Sequence, residues 1–169
     1  VHVGLCDERW VDDTHPASNG AMLERTLLQN KAARASYTPM KTAGDDPFKA
    51  VEAVNELYLE AGLTDVMLLG MGPDAHTLSW FAGGDGYDDA IDADTTSTVA
   101  AVKAIESDVT GSNLLRMTLT QPCVAYARSV LLLITGSDKR AVFETAPEDA
   151  PVSIMKRAAG QALTVFYSD

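Results

Sequence analysis

Short apolar runs recur along the chain, separated by amphipathic and polar stretches. The first run, "VHVGLC", alternates weakly and predicts a buried strand that ends at "DERW". Five later runs also predict strands: "DVMLLG", "STVAAVKA", "LRMTLT", "SVLLLITG" and "ALTVFYS". A nearly continuous apolar run such as "DVMLLG" is typical of a strand covered on both faces, as in a parallel sheet.

The clearest amphipathic stretch is "DPFKAVEAVNELYLEAG", which predicts a helix. Asp46 suits the N-cap, Pro47 suits the first helical position, and Gly62 suits the end of the helix. The apolar stripe of this helix is expected to comprise Phe48, Val51, Val54, Leu57 and Tyr58.

Three further stretches predict helices: "AMLERTLLQN", "SDKRAVFETA" and "PVSIMKRAAG". Ser18 or Asn19 is the expected cap of the first. Its apolar side is expected to hold Met22, Leu23, Thr26 and Leu27. Loops are predicted over "YTPMKTAGDD" and the acidic "GGDGYDDAIDADTTS". Because strands alternate with helices, we predict a single α/β domain over residues 1–169, a layered and mostly parallel sheet of Rossmann-like type with helices on both faces.

Composition and charge narrow the classes of function. The formal net charge of -11 argues against a nucleic-acid partner, because contact with phosphate backbones needs a basic face. No apolar run approaches the roughly 20 residues that cross a bilayer, and the first residues do not resemble a signal peptide, so no membrane partner is expected. Cys6 and Cys123 lack metal-ligand spacing, which predicts two small buried residues and a reducing, cytoplasmic compartment.

Polar clusters follow three of the predicted strands. "DERW" comes after the first strand, "GMGPDAH" after "DVMLL", and "GSDKR" after "SVLLLIT". Ligands of parallel α/β sheets bind at the carboxyl ends of the strands. The three clusters are therefore expected to lie along one edge of the sheet and to form one site.

The cluster "GMGPDAH" holds the candidate general base. Gly70 and Gly72 allow a sharp turn and a close approach of the backbone to a ligand. His76 is suited to general-base chemistry near neutral pH, and Asp74 could orient it or bind a ligand hydroxyl. The alternative is that Asp74 caps a following helix and His76 is a surface residue.

The other clusters supply cations for an anionic ligand. Asp7, Glu8 and Arg9 could bind a polyol and an anion, or form a self-contained salt-bridge corner. Arg116 and Lys139 could also hold an anion, with a salt bridge and a solvated lysine as the respective alternatives. Together they suit a phosphorylated sugar. Neither a Gly-x-Ser-x-Gly motif nor a His/Cys cluster is present, so a hydrolase would use activated water without a metal or cofactor.

These motifs, in this order, resemble the family of 6-phosphogluconolactonases and glucosamine-6-phosphate deaminases. The matching pieces are "VGLCDERWV", "SN" at 18–19, "DVMLLGMGPDAHTLSWFAGG", "RMTLT", "ITGSDKR" and the closing "APVSIMKRAAGQALTVFYSD". "DERW" and "HTLSWF" are similar to the lactonase branch. The glutamate of the deaminase stretch His-Ile-Ala-Phe-Asn-Glu-Pro has no counterpart here.

The resemblance implies hydrolysis of 6-phospho-D-glucono-1,5-lactone to 6-phosphogluconate in the pentose phosphate pathway. It makes His76 the general base that activates water and later protonates the leaving ring oxygen. It assigns Arg116 and Lys139 to the phosphate, and leaves Arg9 either on the phosphate or on the developing oxyanion.

For the remaining residues the resemblance implies finer roles. Asp7, Asn19 and Asp74 would hold hydroxyls or orient the site. The family usually has glycine where this chain has Ala75, and a positive φ there would cost on the order of 1 kcal/mol.

The family also normally carries roughly 60 further residues before the equivalent of "VHVGLC", so the domain is expected to be incomplete at its N-terminus, and a monomer or a homodimer. Two alternatives stay open: an amino-sugar phosphate isomerase/deaminase and a non-catalytic phosphosugar-binding module.

Overall fold

The computed structural model describes residues Val1–Asp169 as a mixed α/β fold. The strands are β1 (His2–Gly4), β2 (Asp7–Arg9), β3 (Ser36–Thr38), β4 (Met67–Gly70), β5 (Val99–Lys103), β6 (Leu115–Leu119), β7 (Val130–Thr135) and β8 (Leu163–Ser168). The helices are α1 (Asn19–Thr26), α2 (Pro47–Ala61), α3 (Tyr87–Ile91), α4 (Gln121–Ala125), α5 (Ser137–Thr145) and α6 (Pro151–Ala159). Two short 3-10 helices span Asn30–Arg34 and Gly160–Ala162.

The strands form three sheets. β4, β7 and β8 form a parallel sheet in that order, and β1 pairs with β3, also in parallel. β2, β6 and β5 form an antiparallel sheet. The predicted α/β class with parallel sheets and helices is confirmed. Hydrophobic patterning did not reveal that β2, β6 and β5 pair in antiparallel orientation. No helix is long and apolar enough to span a membrane.

Strand β4 buries only one of its faces. Met67 and Leu69 are buried in the core, whereas Leu68 is 58% exposed. On the neighbouring strand Leu133, which pairs with Gly70, is 46% exposed. The expectation that the "DVMLLG" strand is covered on both faces is therefore wrong, because alternate side chains point to opposite faces and one of these faces remains open.

Helix α2 begins and ends as the sequence predicts. The Asp46 side chain accepts a hydrogen bond from Phe48 N at 3.0 Å, and Gly62 follows the last turn with a φ of 80°. The predicted apolar stripe is only partly correct. Val54 and Tyr58 are buried, but the buried side also comprises Pro47 and Ala50, while Phe48 and Leu57 are exposed and Val51 is partly buried.

Other predictions need correction. Strand β1 exists but is not buried, because it pairs with β3 alone. Helix α1 is capped by Ser18, which is one of the two predicted caps. Its predicted apolar side is wrong in part, because Met22, Thr26 and Leu27 are exposed. Strand β3 overlaps the start of one stretch predicted as a loop, and helix α3 lies inside the other. Cys6 and Cys123 are partly rather than fully buried.

One hydrophobic cluster joins the parallel and antiparallel sheets. It contains Met67 and Leu132 from the parallel sheet, and Met117 and Val102 from the antiparallel sheet. The fully buried Trp80 belongs to the same cluster, and its indole Nε1 donates to Leu119 O at 2.9 Å. The loop that follows β4 is therefore fixed between the two sheets, and this loop carries His76.

Candidate active site

The loop after β4 folds into a closed turn, which we call the histidine turn (residues 70–78). Gly72 N donates to His76 O at 2.9 Å, and Ala75 N donates to Gly72 O at 3.2 Å. The Thr77 hydroxyl donates to Gly70 O at 2.9 Å. These bonds within the turn fix the backbone on both sides of His76.

Within the turn, Asp74 orients the His76 ring. Asp74 Oδ1 lies 2.5 Å from His76 Nδ1 and 3.4 Å from His76 N. Burial would raise the pKa of the Asp74 carboxyl, but the hydrogen bonds and charge of His76 outweigh burial and the pKa is lowered. An ionised carboxylate only accepts, so Nδ1 carries a proton and the opposite nitrogen, Nε2, is left to accept one. No helix follows Asp74, so the capping alternative is wrong.

The backbone on each side of His76 is strained. Ala75 has a φ of 65° and Leu78 a φ of 53°, in a region that residues other than glycine seldom adopt. The positive φ considered for position 75 is therefore present. Val152 N, in the first turn of α6, donates to Ala75 O at 3.0 Å and helps to hold this conformation. Strain of this kind is typical of functional turns.

The two glycines of the turn have different local requirements. A Cβ on Gly72 would collide with the His76 ring and would lie 2.5 Å from Asp74 Oδ1. Nothing lies within 4 Å of a Cβ on Gly70. Space for the imidazole therefore requires glycine at position 72, whereas Gly70 contributes its carbonyl to the turn.

The antiparallel sheet brings two arginines together. Arg9 on β2 is the direct cross-strand partner of Arg116 on β6, so their side chains leave the same face of the sheet. Burial, followed by the charge of Arg9, lowers the pKa of Arg116, while Asp7 and Glu8 oppose that change. Like charges directly opposite one another are destabilising. We call Arg9 and Arg116 the arginine pair.

No carboxylate forms a salt bridge with the arginine pair. Arg9 Nη1 donates to Ala17 O at 3.1 Å and Asn19 Oδ1 at 2.7 Å, and its buried Nε has no partner. Arg116 donates from Nε to Asn113 O at 2.7 Å and from Nη2 to Thr110 O at 3.0 Å. All these acceptors are neutral. The salt-bridge alternatives for both arginines are therefore wrong, because Asp7 and Glu8 act on Arg116 only at a distance and neither guanidinium contacts a carboxylate.

Phe81 connects the arginine pair to the histidine turn. Its ring centroid lies 4.5 Å from that of His76, and Arg116 Cζ lies 5.4 Å from the Phe81 centroid. A base and a cationic centre thus contact one aromatic ring. The sequence reasoning did not assign Phe81 a role, although it stands at the end of the "HTLSWF" stretch that carries the resemblance.

Asp7 forms a second connection between the two parts. Its Oδ2 accepts from the buried Ser79 hydroxyl at 2.7 Å, just beyond the histidine turn. Its Oδ1 accepts from Asn19 Nδ2 at 3.3 Å, and Asn19 also holds Arg9. Ser79 is a further residue that sequence reasoning missed.

Lys139 does not contact this cluster. It is the third residue of α5, which follows β7, and it is partly buried without a hydrogen bond or salt bridge. Arg140 beside it pairs with Glu144 at 2.9 Å. Of the three predicted clusters, the structure joins "DERW" with "GMGPDAH", and Asp7–Arg9 itself forms strand β2 rather than a loop at a strand end. No group of three or more His, Cys, Asp or Glu side chains is arranged to hold a metal ion.

Comparison with known proteins identifies the family to which this fold belongs. A family model described as glucosamine-6-phosphate isomerases/6-phosphogluconolactonase matches residues 1–164. A relative named 6-phosphogluconolactonase from Neisseria meningitidis is 30% identical, over the whole of this chain and 74% of the relative. One of the same name from Rhizobium meliloti is 32% identical, over 99% of this chain and 73% of the relative.

A solved structure gives the same result. The crystal structure of a 6-phosphogluconolactonase from Shewanella baltica superposes with a TM-score of 0.86 at 27% identity, covering 99% of this chain and 72% of that one. The chain belongs to the glucosamine-6-phosphate isomerase/6-phosphogluconolactonase family.

Proposed function

We propose that this chain hydrolyses 6-phospho-D-glucono-1,5-lactone to 6-phosphogluconate, the lactonase step of the oxidative pentose phosphate pathway. The observation that carries the proposal is that Arg116 of the arginine pair shares the Phe81 ring with an Asp74-oriented His76. A phosphorylated lactone needs an anion site and a base at a fixed separation, and these residues provide both. The names of the relatives support the same activity.

In the proposed mechanism His76 Nε2 accepts a proton from water as the water oxygen attacks the lactone carbonyl. The carbonyl π electrons move to oxygen and form a tetrahedral oxyanion. When the carbonyl re-forms, the bond to the ring oxygen breaks and His76 returns its proton to that oxygen. Asp74 keeps Nδ1 protonated and stabilises the imidazolium. Proton transfer of this kind contributes about 10²–10⁴-fold to the rate.

The proposed substrate contacts divide between phosphate and sugar. Arg116 holds the phosphate through charge-assisted hydrogen bonds, and Arg9 either joins it or stabilises the oxyanion. Lys139 is proposed as a further phosphate ligand because α5 starts at the carboxyl end of the parallel strand β7. Asp7 and Asn19 bind sugar hydroxyls.

Gly70 and Gly72 are proposed to let the backbone of the histidine turn approach the lactone closely. Water activated by His76 needs no metal or other cofactor, and we propose that none takes part. The partner is then a small phosphosugar lactone, without nucleic acid or membrane. We expect residues 1–169 to act as one domain, as a monomer or homodimer in the cytoplasm.

A substrate panel tests the proposal against its alternatives. We expect turnover of 6-phosphogluconolactone above its spontaneous rate, a much lower kcat/KM for unphosphorylated glucono-1,5-lactone, and no ammonia from glucosamine 6-phosphate. Retention of activity in excess EDTA is expected. Ammonia release would support the deaminase alternative instead. Phosphosugar binding without any turnover would support the binding-module alternative.

A further inference from the structure

Glu8 is a buried carboxylate beside the arginine pair with no cation in contact. It is the central residue of β2 and only 2% exposed. Alternation along the strand points it away from the face that carries Arg9. Burying a charge is costly unless every lone pair finds a donor, so its partners show what the charge does.

All the partners of Glu8 lie at the junction of β2 and α1. Oε1 accepts from Arg9 N and Asn19 N, each at 2.7 Å. Oε2 accepts from Gly20 N at 2.7 Å and from the Ser18 hydroxyl at 3.0 Å. Glu8 therefore fastens the first residues of α1 to the strand that carries Arg9. We call these four bonds the Glu8 clamp.

The clamp leads to the arginine pair through Asn19. With its backbone held by Glu8, Asn19 accepts from Arg9 Nη1 at 2.7 Å and donates to Asp7 O at 2.9 Å. Because α1 lies close to β2, there is little space for a side chain at Gly20. A Cβ there would lie 3.2 Å from Glu8 Oε2 and 2.8 Å from the Tyr37 hydroxyl. The guanidinium of Arg9 is thus oriented by a residue whose own place depends on Glu8.

We propose that Glu8 is a positioning residue for anion binding: it fixes Asn19, and Asn19 holds the Arg9 guanidinium in register with Arg116 for a phosphorylated ligand. The inference rests on the proposed function for the identity of that ligand. This role of the Glu8 carboxylate goes beyond the stability of α1. Arg9 and Arg116 carry like charges, and only directed hydrogen bonds keep them aligned. Loss of the carboxylate therefore frees the Arg9 guanidinium.

The clamp requires a carboxylate rather than an amide. Three of its four donors are backbone N–H groups, with at least one on each oxygen. In Glu8→Gln the amide NH₂ faces a backbone donor in either orientation, and a donor facing a donor cannot form a bond. The substitution is nearly isosteric and still disconnects one side of the clamp.

The test measures affinity for inorganic phosphate by calorimetry, together with kcat, KM and thermal midpoint. For Glu8→Gln we expect phosphate binding about tenfold weaker and KM raised by a similar factor, the cost of one misplaced charge-assisted contact, with a smaller change in kcat. The matched control is Asp46→Ala, which removes the side-chain cap of α2 and no bond of the clamp. It is expected to lower the thermal midpoint while phosphate affinity stays near the wild-type value.

Glu8→Gln that loses stability but keeps wild-type phosphate affinity and KM would overturn the proposal. If Glu8→Gln does not fold, Asn19→Ala replaces it and is expected to weaken phosphate binding similarly; unchanged affinity there would also overturn it. Wild-type protein that binds phosphate without hydrolysing the lactone would refute the proposed function alone, because the phosphate-binding measurements on the variants still test the role of Glu8. Wild-type protein that binds no phosphate would overturn the inference about Glu8.

Discussion

The histidine turn is built from continuous chain, whereas the arginine pair joins two strands that lie far apart in the sequence, β2 and β6. In the turn, Asp74 and His76 meet two residues apart, held by bonds within the turn and partly open to solvent. The arginine pair depends on β2 and β6 pairing in one register, with Arg116 only 4% exposed. Contacts within one turn thus place the proposed base, and pairing between distant strands places the charge.

This difference predicts two kinds of damage. Changes in the turn should act on the rate of the chemical step, and changes in the arginine pair should act on the binding of the anion. Phe81, which contacts both His76 and Arg116, is where the two parts meet. The following substitutions test the division, starting with the largest expected effect.

Gly72→Ala should damage the turn most without removing a reactive group. A Cβ there must displace the His76 ring, and a misplacement of about 1 Å can cost about 10²-fold in kcat. Steady-state kinetics on the phosphorylated lactone measure it. Gly4→Ala is the matched control, because its Cβ would make an ordinary contact with Tyr58 at 3.4 Å. Equal kcat values in wild type and Gly72→Ala would show that the turn does not constrain His76.

Arg116→Gln should act on binding. Loss of a charge-assisted contact to phosphate corresponds to about 1.5–3 kcal/mol, so KM should rise about 10–100-fold while kcat changes much less. Arg140→Gln is the control on the surface, where Arg140 pairs with Glu144 and lies over the Tyr167 ring. A fall in kcat at constant KM in Arg116→Gln would place the arginine on the chemical step instead.

Ala75→Gly should stabilise the protein. Glycine adopts the φ of 65° without strain, and the free energy of unfolding should rise by about 1 kcal/mol. Denaturant unfolding measures the change. Asn30→Gly serves as comparison, since Asn30 has a φ of 54° but asparagine tolerates this region, so its gain should be smaller. A loss of stability in Ala75→Gly would mean that the turn is not strained at this residue.

Asp74→Asn should have the smallest effect on stability, seen when the protein is acidified. Because the folded pKa of Asp74 is lowered, its ionised form contributes stability above its ordinary pKa of 3.8, and that contribution is lost as pH falls through the folded value. The variant should therefore lose less stability than wild type below about pH 4, while Asp13→Asn, in an exposed loop, should behave as wild type. An identical loss of stability on acidification in wild type and Asp74→Asn would count against the lowered pKa of Asp74.

Sequence reasoning recovered the elements whose determinants are local. Asp46 and Gly62 bound α2 as predicted because capping depends on a few neighbouring residues. The Asp74–His76 contact was accessible for the same reason. The β2–β6 register could not be predicted in this way, because hydrophobic patterning identifies a strand without giving its partner or its direction.

Burial was the least predictable property. Strand β4 is apolar throughout, yet Leu68 is exposed, since burial depends on what covers a face and not on the strand's own residues. The same limit concealed Ser79, Phe81 and the Glu8 clamp. Each is one polar or aromatic residue in a short stretch, and its partner lies on another element.

In the proposed mechanism the histidine turn performs the chemistry and the arginine pair binds the anion. Its most direct test is the kinetics of His76→Ala on the phosphorylated lactone, with phosphate affinity measured on the same sample. We expect kcat to fall about 10²–10⁴-fold, with KM and phosphate affinity close to wild type. Full turnover in His76→Ala, or loss of phosphate binding together with activity, would contradict it.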